Sequence, residues 1–359
     1  MGFSGWISGG KKSSHDELRK SEDFRKSKTG PEPKIPFLTS LFAFPYIGAI
    51  RGYYLLLALF FVLFIATKSP LVGFCAGATI AFIVVWEFYA GSKSGGVANE
   101  IRDTAIAIGL GLLVWFGSGY VLNTPTPINA IVSCSMLPAY ERGDMIILQG
   151  AMPNTQYVDY PEPVSSIPMQ AWVKYNGGDY SFNGSLYSYC QAHIGEQICM
   201  DFLREPASFE ESHGPLVLKY GQCIKQGINT KEKKYVPCVR ETYFGAKKIE
   251  FSKDADLIVY APKNTDVYSL VGDIIHRARF AINASDGIIY FTKGDNNPVY
   301  DFQIYSSGYK MGNSPVSPEQ IKGRGILRIP LLGNFKLFIS PQVLFLDDDS
   351  TGCNAYFVG

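Results

Sequence analysis

The stretch Thr104-Ala105-Ile106-Ala107-Ile108-Gly109-Leu110-Gly111-Leu112-Leu113-Val114-Trp115-Phe116-Gly117-Ser118-Gly119-Tyr120-Val121-Leu122 carries no charge. Soon after it comes Ser133-Cys134-Ser135-Met136-Leu137-Pro138, and then Gly143-Asp144. An uncharged run of this length matches the roughly 17 to 25 residues that a helix needs to cross hydrocarbon. It is read as a membrane span, which puts the serine box at the start of a folded domain beside the membrane. Downstream, in order, stand His276-Arg277 and Lys293-Gly294-Asp295-Asn296-Asn297. A hydroxyl is a poor nucleophile until an imidazole takes its proton and a carboxylate orients that imidazole, so this set of residues points to acyl transfer.

Two more uncharged runs precede that span, Gly52 to Thr67 and Ser69 to Trp86, giving about three transmembrane helices within residues 37–123. The run Phe37 to Ile50 is too short to cross, holds Pro45, and reads as an interfacial helix. Ahead of it, Lys11, Lys12, Arg19, Lys20, Arg25, Lys26, Lys28 and Lys34 crowd a polar tail, residues 1–36, that should stay cytoplasmic. Three crossings then deliver everything after about Asn123 to the extracytoplasmic side of the cell membrane. A net charge of +1 over 359 residues argues against nucleic-acid binding, which needs a concentrated excess of Lys and Arg.

Beyond residue 124 the pattern changes to short β-branched and aromatic runs between turn residues. Met145–Leu148, Leu257–Tyr260, Ile274–Ile275 and Ile288–Phe291 read as strands of a mainly β domain over 124–150 and 251–359. Residues 151–250 form an extracytoplasmic insert of different character, rich in Tyr, Asn, Gly and Gln, with Cys190, Cys199, Cys223 and Cys238. Two disulfides are the simplest use of four such cysteines, with local pairing of Cys190 to Cys199 and Cys223 to Cys238 preferred among three connectivities. A zinc site competes, but the spacing lacks a C-x-x-C pair. Cys75 reads as inert packing within an apolar span, and Cys134 and Cys353 have no obvious partners.

A serine among polar residues is usually a turn or capping hydroxyl, and a solitary histidine is usually structural. Context raises both here. The string S-x-S-M-x-P-x-x-x-x-G-D, carried by Ser133, Ser135, Met136, Pro138, Gly143 and Asp144, resembles the nucleophile box of type I signal peptidases. His276-Arg277 is similar to the His-Arg pair of that family's archaeal and endoplasmic-reticulum branch, whose bacterial counterpart uses lysine. Thr292 to Asp301 is similar to its K-G-D-N-N segment, with Asp301 on the position of the catalytic acid and Tyr300 where an acidic neighbour is usual. Asp256–Tyr260 and, loosely, Gly325–Gly333 extend the resemblance, which covers roughly residues 104 to 150 and 251 to 335. Cys134 departs from it, standing where the family has glycine.

The resemblance implies N-terminal transmembrane helices followed by a coiled, mainly β catalytic domain of signal-peptidase type, with the large cysteine-containing insert as an addition. It implies a membrane-bound serine endopeptidase that removes signal peptides from exported preproteins and needs neither cofactor nor metal. Ser135 would be the nucleophile, His276 the general base and Asp301 the orienting acid. Ser133 and the Ser135 N–H would form the oxyanion hole. Asp295 is the second choice of acid, or else a structural cap of its own turn. Its partners would be signal-peptide-bearing preproteins and the lipid bilayer, with room for association with a secretion channel. Two other readings are kept. One is a Ser135–Lys293 dyad, which requires a desolvated lysine of lowered pKa. The other is a catalytically silent membrane receptor or adhesin acting through its insert.

Overall fold

The computed structural model describes residues 52–67, 69–228, 230, 232–252, 255–339 and 353–358. The basic tail 1–36 and the interfacial run 37–50 lie outside them. Three apolar helices open the described chain: α1 (Gly52–Thr67), α2 (Pro70–Gly95) and α3 (Val97–Val121). By length and composition, α2 over Leu71–Lys93 and α3 over Val97–Val121 suffice to cross a membrane, whereas α1 has 16 residues. None of α3 is buried, and Leu113, Val114 and Phe116 stand exposed on it. The helix also starts earlier than the uncharged run, taking in Glu100, Arg102 and Asp103.

All the β structure belongs to a compact unit that includes residues 107–339 and 353–358. Its early strands are β1 (Ile128–Ala130), β2 (Met145–Gln149), β3 (Gln156–Asp159), β4 (Gln170–Tyr175) and β5 (Gly178–Asn183). Two short helices follow, α4 (Leu186–Ala192) and α5 (Gln197–Arg204), then β6 (Glu210–His213), β7 (Leu216–Gly227), β8 (Lys233–Phe244) and β9 (Lys247–Ile249). The chain continues through β10 (Leu257–Tyr260), β11 (Ile274–Ala284), β12 (Gly287–Lys293), β13 (Tyr305–Ser306), β14 (Met311–Gly312) and β15 (Ile321–Ile329). It closes with α6 (Asn334–Ile339) and β16 (Ala355–Val358).

Two sheets result. The first runs β1-β2-β15-β10-β11-β12, all antiparallel, with β3 added parallel to β11. The second runs β5-β4-β6-β7-β8-β9, with β16 beside the far half of β7. Strand β10 is buried at all four positions, as its unbroken Leu-Ile-Val-Tyr run requires of a strand covered on both faces. The sheets share one core, because Leu216, Leu218 and Tyr220 of the second pack in the same cluster as Phe280, Ile282 and Phe291 of the first. Residues 151–250 thus supply one layer of that core, and Gln156–Asp159 joins the sheet that carries His276.

Cys190–Cys199 and Cys223–Cys238 are bridged, with Cα atoms 5.2 and 5.9 Å apart, as the local pairing anticipates. No group of three or more metal-ligating side chains occurs among the described residues. Cys134 and Cys353, left without partners by the sequence reading, form a third bridge with Cα atoms 5.0 Å apart. It ties the serine box to β16 across 219 residues, a pairing that local spacing could not disclose. Cys75 lies in α2 outside any disulfide. Thiol counting on unreduced protein in denaturant should therefore find one thiol, that of Cys75. Cys353→Ser should cost about 2 to 4 kcal/mol of stability. A protein that also yields the thiols of Cys134 and Cys353 would lack the long-range staple.

Candidate active site

The serine box is a loop between β1 and β2 whose ends are tied together. Ile131 N–H donates to the Asp144 carbonyl and Gly143 N–H to the Ile131 carbonyl, each at 2.9 Å. Gly143 has φ +96°, a conformation that side chains other than glycine's adopt only under strain. Asp144 is buried and accepts from the N–H of Glu141 at 2.8 Å, while its carboxylate meets Arg328 Nε at 2.6 Å. The Gly-Asp end of the motif is therefore a loop closure. Met136 is fully buried beneath the loop, and the Ser135 hydroxyl lies half-exposed, 3.2 Å from that of Ser133.

Register places the remaining groups. His276 opposes Ile258, Tyr260 opposes Ile274, and Thr292 opposes Ala278. Directly paired residues share a face, and so do residues two apart along a strand, so Tyr260, His276 and Thr292 point the same way. Asp301 comes to them from the short 3-10 turn Asp301–Gln303 that follows β12. One of its oxygens, Oδ2, accepts from His276 Nδ1 at 2.7 Å, Tyr260 OH at 2.9 Å and Thr292 Oγ1 at 2.6 Å. Both His276 and Asp301 are buried. An acceptor at Nδ1 makes that nitrogen the protonated one in a neutral ring, leaving Nε2 as the base. Burial, and then the charge of Asp301, raise the Tyr260 hydroxyl well above the ordinary phenol value, so it remains a donor. The Tyr268 ring stands edge-on to the imidazole, 6.3 Å between centroids.

Gly294 brings serine and imidazole to one point. A methyl group on it would lie 2.6 Å from the Ser135 carbonyl oxygen and 2.9 Å from His276 Nε2, so close approach demands glycine. Next to it, Asn296 N–H donates to the Ser135 carbonyl at 2.7 Å and its side-chain amide to the Cys134 carbonyl at 3.0 Å. The Cys134 side chain is committed to its disulfide, which answers how a residue larger than glycine fits beside Ser135.

The structure brings His276 and Asp301 into contact and sets them by the Ser135 loop, but it puts Asp295 elsewhere. The Asp295 carboxylate takes Arg277 Nε at 2.9 Å and Arg279 Nη2 at 2.6 Å, holding two guanidinium groups in place of capping its own turn. Lys293 opposes Arg277 in register and so projects from the face opposite His276 and Thr292. Tyr260, Asn296 and the Cys134–Cys353 bridge were not singled out from sequence. Tyr260 could have been found by extending the alternation of β10 to the face that carries the histidine.

Against these geometries stand the relatives. Over 87 residues the chain is 32% identical to the signal peptidase complex catalytic subunit sec11 of Pyrenophora tritici-repentis, 23% of this chain and 50% of that protein. Over 49 residues it is 46% identical to the SEC11 subunit of Schizophyllum commune, 14% of this chain and 25% of that one. Over 51 residues it is 33% identical to the SEC11 subunit of Colletotrichum graminicola, 14% and 30%. The chain spans half or less of the length of these curated relatives. No protein-family model matches it, and no solved structure is a significant match. The resemblance to signal peptidases of the endoplasmic-reticulum branch, read from the three motifs, is borne out by relatives of that name.

Lys293 yields a measurable consequence. Burial first, and Arg279 second, push its ammonium from 10.5 down to about 7, against the opposing pull of Asp295 and Asp301. The unfolded chain holds this proton up to about 10.4, so the group destabilises the fold fully below about pH 7 and ceases to do so above about 10.4. Lys293→Met should raise the thermal midpoint in neutral detergent solution, and the gain should shrink steadily between those two pH values. A gain independent of pH would mean that the lysine is not desolvated.

Proposed function

We propose that this chain is a membrane-bound serine endopeptidase that removes signal peptides from exported preproteins. The observation that carries this reading is the buried His276–Asp301 pair meeting the Ser135 loop at Gly294. The relatives named as signal peptidase catalytic subunits supply the substrate class. In the proposed reaction Ser135 Oγ turns from Ser133 to the scissile carbonyl as His276 Nε2 takes its proton. The proton passes to the leaving amine, and water activated by the same nitrogen then frees the acyl chain. The Ser135 N–H and the Ser133 hydroxyl serve the oxyanion. Asp301 orients the imidazole and stabilises its charged form, and Asp295 is a structural acid.

Helices α2 and α3, with α1 as a shorter partner, anchor the enzyme as a multi-pass protein of the cell membrane. Its exposed apolar side chains would otherwise face water. The β domain lies on the extracytoplasmic side, where translocated preproteins emerge, and association with a secretion channel fits that position. A second reading keeps Ser135 and makes Lys293 the base, favoured by its ammonium at about 7. Its projection from the opposite face weighs against this.

Substitution separates the two. With a preprotein substrate in membranes or detergent, Ser135→Ala, His276→Ala and Asp301→Ala should each lower cleavage by about a thousandfold or more, without additivity. Lys293→Met should cost far less than His276→Ala. The reverse order would move the base to Lys293, full cleavage by Ser135→Ala would remove Ser135 as the nucleophile, and absence of cleavage by the folded parent would favour the receptor.

A further inference from the structure

Behind the Ser135 loop lies a cavity of about 430 Å³, open to solvent on one side. Four cations line it, Arg240, Arg277, Arg279 and Lys293, against a single carboxylate among the described residues, Asp295. That carboxylate is already held by Arg277 and Arg279. Arg240 comes from β8 and reaches only the Cys223 sulfur, at 4.0 Å, while Lys293 stands over the Phe251 ring at 5.6 Å. Neither has an acidic partner among the described residues. Arg240 is exposed and Lys293 half-buried; an uncompensated charge is costly where it is shielded from water, as at Lys293, and a recess walled by protein attracts an anion more strongly than open water does. The lowered ammonium of Lys293 is the same cost seen from the proton's side.

The position of the recess narrows the choice of anion. Pro138 and Ala139, just past the nucleophile, form part of its wall, and so do Asp295 and Asn297, which follow Gly294. The recess therefore begins within a few residues of Ser135, in reach of side chains of a polypeptide laid across that loop. The opposite wall is the Cys223–Cys238 hairpin, so residues 151–250 complete it. We propose that this cavity is a subsite for an acidic side chain of the polypeptide being cut, with Arg240 and Lys293 as its counter-charges. The inference rests on the peptidase reading, and it gives the hairpin of β7 and β8 a part in choosing substrates. Arg240 suits the task because its planar fork matches a carboxylate.

The test uses full-length protein in detergent, with Ser135→Ala to allow binding without cleavage. Peptides spanning a cleavage site carry one Glu moved along the positions flanking the cut, each matched by a Gln peptide. At one position the Glu peptide should bind about tenfold or more tightly, and Arg240→Glu should abolish or reverse that preference. Should Arg240→Glu fail to fold, Arg240→Gln should still reduce the ratio several-fold. The parent's cleavage of the Gln peptide is scored separately, so that failure of the peptidase reading appears there alone. Absence of a Glu preference at every position, or a preference that survives Arg240→Glu, overturns the subsite. Arg240-dependent binding of inorganic phosphate, or of vesicles containing phosphatidylglycerol, with no peptide preference would likewise overturn it, giving the cavity to a free anion or to lipid.

Discussion

The convergence of three donors on one oxygen of Asp301 is the constraint that the domain is arranged around. A buried carboxylate needs donors; here three adjacent strands supply all of them to Oδ2, and Oδ1 is buried with no hydrogen-bond partner among the described residues. Tyr260 ends β10, His276 lies in β11 and Thr292 in β12, so the bond to the imidazole requires the register of all three. Asp301 must in turn be carried back beneath them. Its own carbonyl is held by the Asn313 side-chain amide at 3.0 Å, which locks the turn from the far side.

The same requirement explains why residues 151–250 are built into the core. Ser185 and Ser188 donate to the Gln303 carbonyl at 2.8 Å, and Val239 N–H donates to the Pro298 carbonyl at 3.0 Å. The Gln303 amide reaches the Glu211 carboxylate at 2.7 Å and the Tyr220 hydroxyl at 2.9 Å, all in buried surroundings. Tyr300, beside Asp301, bonds Thr242 through its hydroxyl at 3.0 Å. A turn with so few residues of its own has no independent stability. It is positioned because the second sheet grips both its flanks, and a network of this kind is worth most when every member is satisfied.

How far the chain could be read in advance follows from the range of each interaction. The strands around Leu257–Tyr260 and Ile274–Ile275 were legible because a covered strand needs an unbroken apolar run, and the near-neighbour cysteine pairs because their loops are short. Motif resemblance picked out His276 and Asp301, which the structure places in contact, and the Ser135 loop near them. What escaped depends on distant chain. Cys134 meets Cys353, β3 adds to β11 in parallel, and the second sheet shares its core with the first. None of these leaves a periodic trace. The start of α3 is not marked by the uncharged run, since a helix may extend beyond its uncharged part, as Glu100 to Asp103 do.

Asp295 and Asp301 show why proximity in sequence to a conserved-looking turn does not decide a role. Asp295 follows Gly294 directly and so lies nearer Ser135 along the motif, yet it sits two residues beyond Lys293, the position of β12 that opposes Arg277. Its side chain belongs to the face of the arginines, and two guanidinium groups claim it. An acid already shared between two fixed cations cannot also follow an imidazole through a proton transfer. Asp301, six residues on, reverses direction in a 3-10 turn and returns to the histidine face, where its donors are neutral groups and the imidazole itself. The difference is one of pleat, since alternation along β12 sends Thr292 to one face and Lys293 to the other. By keeping the cationic recess and the His276–Asp301 pair on opposite sides of two shared strands, that alternation lets one structure hold a proton-transfer site and a positively charged cavity without either neutralising the other.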